Sequence, residues 1–140
     1  MFKDLQHNEH RHSFRVSYSD TDKMGFVHHS AYLQYYESAR WEAFRDWGLC
    51  YREIEECGIW MPVTKAELKY LRPAHYDDWL TVVTRIEKAV GPTVVFAYEL
   101  YKNETILINE AKVTVAFMNE KNKKPCRPPK MILDHISKER

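Results

Sequence analysis

Neither sign of charge dominates this chain. Its 21 Lys and Arg stand against 20 Asp and Glu, so no basic field advertises nucleic acid and no acidic excess keeps the chain unfolded; a charged ligand must be recognised locally. Cysteine is scarce too. Cys50, Cys57 and Cys126 form no C-x-x-C pair, and an odd count without a secretory leader points to reduced, structural thiols and a cytoplasmic setting. Residues 1–12 hold no apolar segment of the signal-peptide kind, and no apolar run approaches the ~20 residues that span a bilayer, so stable membrane insertion is not expected. At 140 residues there is room for one domain, over 1–140, and the 44% hydrophobic content supplies a sizeable core.

Residues 13–18 read as a short strand. Over 30–47, Tyr32, Tyr35, Tyr36, Ala39, Ala43, Phe44 and Trp47 recur at helical spacing, with Ser30 placed to cap the start and Gly48 just past the end. A shorter helix is expected over 51–57, before Gly58. Four β-rich runs follow, at 61–71, 79–90, 93–102 and 106–119, separated by Gly91-Pro92, Asn103-Glu104 and the polar stretch 119–124. Ala66, Leu68 and Tyr70 share one strand face, and Ala111, Val113, Val115 and Phe117 share another, which predicts half-buried strands. The tail from Lys124 carries three prolines before a last helical turn. These elements predict an α+β two-layer domain, an antiparallel sheet and one long helix burying each other's apolar faces. Its open sheet edges favour a dimer.

The chemistry concentrates in residues 18–40, Y-S-D-T-D-K-M-G-F-V-H-H-S-A-Y-L-Q-Y-Y-E-S-A-R. Asp20 and Asp22 lie two apart, so their carboxylates share a side in extended backbone and diverge in a turn, which Gly25 favours. The N–H groups of a helix's first turn lack internal acceptors and sit at the positive end of its dipole, a site for an oxyanion. One such donor is worth roughly 2.7–4 kcal/mol in an acyl-transfer transition state. A carboxylate of pKa ~3.9 is a weak base, but a thiolate, with a conjugate acid near ~8.5, leaves far more readily than an alkoxide, so this chemistry suits a thioester better than an amide.

Each part also has a plainer role. Either aspartate can cap a turn, His28 and His29 can be ordinary helix-start residues, and the aromatic stripe, including Tyr35 and Tyr36, can be core or pocket. Trp60 can also narrow a pocket. A metal site is disfavoured, because two adjacent histidines do not face one ion as an i, i+4 pair does. His7, His10 and His12 fall in a polar N-terminal arm and His75 in a loop, where surface placement is expected, and 121–124 reads as a solvated hairpin tip.

Taken together, Tyr18, Asp20, Asp22, Gly25, Val27, His29, Tyr32, Leu33, Tyr35 or Tyr36, Glu37 and Arg40 resemble the signature of the hotdog-fold acyl-CoA thioesterases of the 4-hydroxybenzoyl-CoA thioesterase family, especially the bacterial Tol-Pal-associated and long-chain acyl-CoA branch. Gly48, Tyr70-Leu71-Arg72-Pro73-Ala74, Asp77-Asp78 before Leu80, and Arg127-Pro128 extend the likeness over nearly the whole chain. His28 stands where an aromatic residue is common and Lys23-Met24 fill the variable pair, which leaves substrate preference open.

The resemblance implies a hotdog fold, with an antiparallel sheet wrapped around one long helix, that hydrolyses an acyl-CoA to free acid and CoA without a cofactor or metal. It implies Asp22 as the catalytic carboxylate, acting as nucleophile or as general base on water. The His29 backbone N–H polarises the thioester carbonyl, and Tyr18 and the His29 side chain shape the site. It further implies a homodimer or homotetramer with the site at the dimer interface; Lys65, Lys69, Arg72, Arg85 and Lys88 are the basic residues available to CoA phosphates, or simply a solvated strand face. Two alternatives stay open: a hydratase or dehydratase of acyl thioesters, and a non-catalytic acyl-binding module on the same scaffold.

Overall fold

The computed structural model describes residues 8–49 and 51–136; His7 and Cys50 lie outside the described residues. Along the chain run β1 (His10–Arg15), a single 3₁₀ turn (Tyr18–Asp20), α1 (Ala31–Asp46), α2 (Tyr51–Glu56), β2 (Ile59–Trp60), β3 (Val63–Tyr70), β4 (Trp79–Val90), β5 (Thr93–Lys102), β6 (Ile106–Ala116), β7 (Met118–Asn119) and α3 (Lys130–Leu133). Five strands form one antiparallel sheet in the order β1-β4-β5-β6-β3, and β2 pairs with β7 apart from it. Asn103 and Glu104 close the β5–β6 hairpin with φ of 53° and 63°, the consecutive left-handed pair that matches strand twist.

α1 buries Ala31, Tyr32, Tyr35, Tyr36, Ala39, Arg40, Ala43 and Phe44, a stripe recurring every fourth residue. The alanines let the helix approach closely, and the rings fill the space against Leu80, Val82, Ile86, Val94, Phe96, Tyr98, Leu100, Val113 and Val115 in one core cluster. Each such side chain contributes about 1.5–3 kcal/mol by leaving water. Two hydrogen bonds join polar side chains inside this layer, while Arg40 Nε and Asn109 Nδ2 find no partner among the described residues. The Tyr36 hydroxyl donates to Asn109 Oδ1 at 2.5 Å, and Arg40 donates to the Tyr98 hydroxyl at 3.0 Å while lying over the Phe96 ring. Burial pushes the Tyr36 and Tyr98 phenols well up; at Tyr98 the Arg40 guanidinium partly opposes it. The result is the expected hotdog arrangement, one long helix wrapped by an antiparallel sheet.

Four expectations need correction. β1 lies three residues earlier than 13–18, because at Val16 the chain leaves the sheet: the Val16 N–H donates to Asp78 O and its carbonyl accepts the Asp77 N–H. His10 and His12 therefore belong to a strand and not to a surface arm. His10 is buried, with Nε2 2.6 Å from Asp46 Oδ2, and burial holds the half-buried His12 below the ordinary 6.5. β3 is not half-buried: only Leu68 is partly covered, since α1 lies over β1 and β4 at the other side of the sheet. The run 106–119 splits at Phe117, where the chain leaves the main sheet for β7.

The sheet face away from α1 carries paired charge, Lys69–Glu110, Arg85–Glu99 and Lys112–Glu87. Among the described cysteines Cys57 is exposed, so it is not a core residue, while Cys126 is half-buried; both are free. No described helix is long and apolar enough to cross a membrane.

Candidate active site

Residues 20–28 form a small hairpin. Thr21 and Val27 pair across it, the Asp22 N–H donates to Phe26 O at 2.8 Å, the His28 N–H to Asp20 O at 2.9 Å, and the Gly25 N–H to Asp22 O at 3.0 Å. Gly25 holds φ at 83° at the tip, and an added Cβ would touch nothing within 4 Å, so glycine is needed there for its torsion and not for space.

The two aspartates diverge, as a turn requires. Asp20 Oδ2 accepts the Tyr35 hydroxyl at 3.0 Å; burial, then the Asp20 charge, pushes that phenol well up and keeps its proton in place. Asp22 Oδ1 accepts two backbone N–H groups, from Met24 at 2.9 Å and Phe26 at 3.1 Å. The turn-capping role is real, yet it uses one oxygen. Among the described residues Oδ2 accepts no hydrogen bond, so the half-buried carboxylate is oriented by its own hairpin with one oxygen available.

After the hairpin the chain turns into α1. His28 O accepts the Ala31 N–H at 3.0 Å, while the N–H groups of His29 and Ser30 find no acceptor among the described residues. Ser30 sits at the N-cap position, but its side chain makes no capping bond, so the expected cap is not formed and the helix start stays open. The His29 carbonyl accepts the Tyr70 hydroxyl at 3.0 Å, which ties the end of β3 to this corner. His28, His29 and Ser30 are all exposed.

The hairpin is held from outside by the loop 71–78 between β3 and β4. The Val27 N–H donates to Ala74 O at 2.9 Å and the Tyr76 N–H to Gly25 O at 3.0 Å, while the Phe26 ring lies 4.8 Å from that of His75. The buried Ala74 donates its own N–H to the Tyr32 hydroxyl at 3.2 Å. Tyr76 and His75 thus help build the site although neither is a candidate in the sequence, where the Y-L-R-P-A and D-D likeness on either side of them is the available signal.

Tyr18 lies at the rim, 74% exposed, its ring edge-on to Tyr76 at 5.5 Å. No hydrogen bond among the described residues joins it to Asp22 or His29. Tyr35 and Tyr36 resolve as core. Trp60 does not approach the hairpin: it pairs with Met118 in β2–β7, at the opposite end of the strand whose last residue is Tyr70, about 23 Å along at ~3.3 Å per residue. Of the basic candidates, Lys65, Lys69 and Arg85 are paired with Glu67, Glu110 and Glu99, as on a solvated strand face. Among the described residues no group of three or more His, Cys, Asp or Glu is placed to hold a metal ion.

A long helix wrapped by an antiparallel sheet, with a carboxylate fixed on a hairpin beside an open helix start, is the architecture of hotdog-fold enzymes acting on acyl thioesters. The chain belongs to the Thioesterase-like superfamily, whose family model matches residues 16–136. The acyl-CoA thioester hydrolase YbgC of Escherichia coli O6:H1 is 34% identical over 119 residues, covering 85% of this chain and 89% of that protein. The acyl-CoA thioesterase YbgC of Haemophilus influenzae is also 34% identical over 119 residues, covering 84% and 87%. Among solved structures, the DHNA-CoA thioesterase from Staphylococcus aureus superposes with a TM-score of 0.82 at 27% identity, over 90% of this chain and 85% of that one.

Proposed function

We propose that this protein is an acyl-CoA thioesterase in which Asp22 leads the attack on the thioester carbonyl. The observation that carries the reading is the division of labour at that carboxylate: Oδ1 is anchored by the Met24 and Phe26 N–H groups, and Oδ2 is left for chemistry. The His29 N–H, without an acceptor among the described residues at the start of a 16-residue helix, receives the oxyanion that forms as the C=O bond opens. Collapse of that intermediate expels CoA as a thiolate. With Asp22 as nucleophile the product is a mixed anhydride that water then cleaves; with Asp22 as base, water adds directly and the acid forms in one passage. A single turnover in ¹⁸O-water tests the anhydride route: label in the Asp22 carboxylate, from attack of water on the aspartyl carbonyl of the anhydride, arises by that route and not by general-base attack. Tyr18 and the His29 imidazole line the approach to this centre.

The working unit is a homodimer or homotetramer paired along β3 and located in the cytoplasm. β3 is an edge strand of eight residues that begins and ends on exposed Val63 and Tyr70, with exposed Leu71 directly after it, and such an edge is normally covered or paired. Tyr70 connects it to His29, so a second copy seated there lies against the site.

The test is thiol release from a panel of short, long and aromatic acyl-CoAs, with Asp22→Asn beside the parent chain. Release of CoA that is lost in Asp22→Asn, with the fold retained, is the expected result. Binding of acyl-CoA with no release from any member of the panel, or near-parental turnover by Asp22→Asn, overturns the assignment.

A further inference from the structure

We propose that Asp78 is a positioning residue for hydrolysis: together with Lys102 it sets the loop 71–78 in the shape that splints the Asp22 hairpin. This rests on the reading of Asp22 as the attacking carboxylate.

The hairpin tip is only half-buried, and the backbone bonds that reach residues 25–27 from outside come from one short stretch. Ala74 O takes the Val27 N–H and the Tyr76 N–H reaches Gly25 O, so the amide between those two grips belongs to His75. That amide is the one Asp78 holds. Asp78 Oδ2 accepts the His75 N–H at 2.8 Å, and the same oxygen lies 3.3 Å from Lys102 Nζ of β5 and 3.7 Å from His75 Nδ1. The Asp78 N–H returns to His75 O at 3.2 Å, and its carbonyl accepts the Val16 N–H at 3.0 Å. The Asp78 side chain is 15% exposed and that of Lys102 29%, so their attraction is screened less than at an open surface.

The loop also carries Asp77 at φ 67°, a left-handed backbone that a non-glycine residue keeps only where its surroundings impose it. Arg15 donates to the Asp77 carbonyl at 2.9 Å and Val16 O accepts its N–H at 3.2 Å. The backbone of 77–78 is thus fastened to the end of β1, the carboxylate of Asp78 to β5, and the intervening amides to the hairpin. Asp78 touches neither Asp22 nor the helix start; it acts through the His75 amide and the two backbone bonds, Val27–Ala74 and Tyr76–Gly25, on either side of it. Releasing it lets residues 25–27 shift relative to α1, and a displacement of about 1 Å at a reacting group costs up to about a hundredfold in rate.

The experiment is a double-mutant cycle on the full chain. Asp78→Ala is expected to lower kcat about tenfold with KM within about twofold, and Asp78→Asn, which keeps an acceptor for the His75 N–H, to recover most of that loss. In the Asp22→Asn background, Asp78→Ala is expected to cost less than about twofold more, because the group it positions is gone. Amide exchange at Met24 and Phe26 should quicken in Asp78→Ala while β4 and β5 keep their protection. If Asp78→Ala fails to fold, Lys102→Met reads the same cycle with a loss of about threefold. Undiminished kcat in the folded variant, an effect confined to KM, or a full additive loss on top of a strongly impaired Asp22→Asn overturns the positioning role alone. Near-parental turnover by Asp22→Asn itself overturns both this role and the assignment of Asp22.

Discussion

The two ends of α1 are built on opposite rules. At the C-terminal end the chain folds back and closes the last turn. Gly48, at φ 96°, lets the Leu49 N–H reach Phe44 O at 2.8 Å and its own N–H reach Arg45 O at 3.0 Å, a Schellman stop. Asp46, whose charge is unwelcome beside the negative end of the dipole, is answered by buried His10, and Trp47 stacks on His135 at 4.4 Å. At the N-terminal end Ser30 forms no cap, and among the described residues the His29 and Ser30 N–H groups have no acceptor and Asp22 keeps one oxygen unengaged. The finished end anchors the helix to β1 and α3. The unfinished end is where an external oxyanion finds donors already in place, and its lack of internal partners is what makes it usable for catalysis.

Substitutions at the two ends should therefore separate activity from stability. The largest effect is expected from Asp22→Asn, with thiol release down by about 10²–10⁴-fold and the thermal midpoint nearly unchanged. Gly48→Ala should do the reverse. Placing a Cβ at φ 96°, 3.4 Å from Met131 Sδ, costs about 1–2 kcal/mol, a drop of about 3–8 °C in calorimetry, with kcat preserved. If Gly48→Ala lowers kcat in its folded form, the separation between the ends fails.

Smaller still is the alkaline response of the core between them. Burial raises the Tyr36 phenol above its ordinary 10.0, so this contribution is complete below pH 10 and is lost as pH climbs toward the raised value. At about pH 10.5 this one group weakens the fold by about 0.8 kcal/mol. The midpoint measured from about pH 8 to 11 should fall less steeply in Tyr36→Phe, and an unchanged slope refutes the assignment. Smallest is Ser30→Ala: a working N-cap is worth about 1 kcal/mol, but with no capping bond to lose the change should stay under about 0.5 kcal/mol in denaturant titration.

Much of this was legible in the sequence. β4 and β5 fall where the β-rich runs at 79–90 and 93–102 end against Gly91-Pro92 and Asn103-Glu104, since strand composition and turn chemistry are both local. The helix and its stop at Gly48 were legible for the same reason. β1 was misplaced because H-R-H-S-F-R carries polar residues on its buried face; only pairing with β4 and the approach of Asp46, 36 residues away, makes His10 a core residue. The exposure of β3 was equally hidden, because Ala66, Leu68 and Tyr70 alternate as a buried strand does, and only the placement of α1 over the other edge leaves Ala66 and Tyr70 bare and Leu68 partly covered.

By itself the sequence determined which groups are present and how short segments fold: a carboxylate two residues from another, a glycine able to turn back, and a helix start directly after, all set by local torsions and spacing. Tertiary structure alone decided what each aspartate sits against. Asp20 is drawn to Tyr35 on the helix, while the Asp22 hairpin is gripped by Ala74 and Tyr76, some fifty residues further on. Those bonds form only when β1, β4 and α1 have packed, because contacts between distant parts of a chain exist only once the core brings them within hydrogen-bond reach.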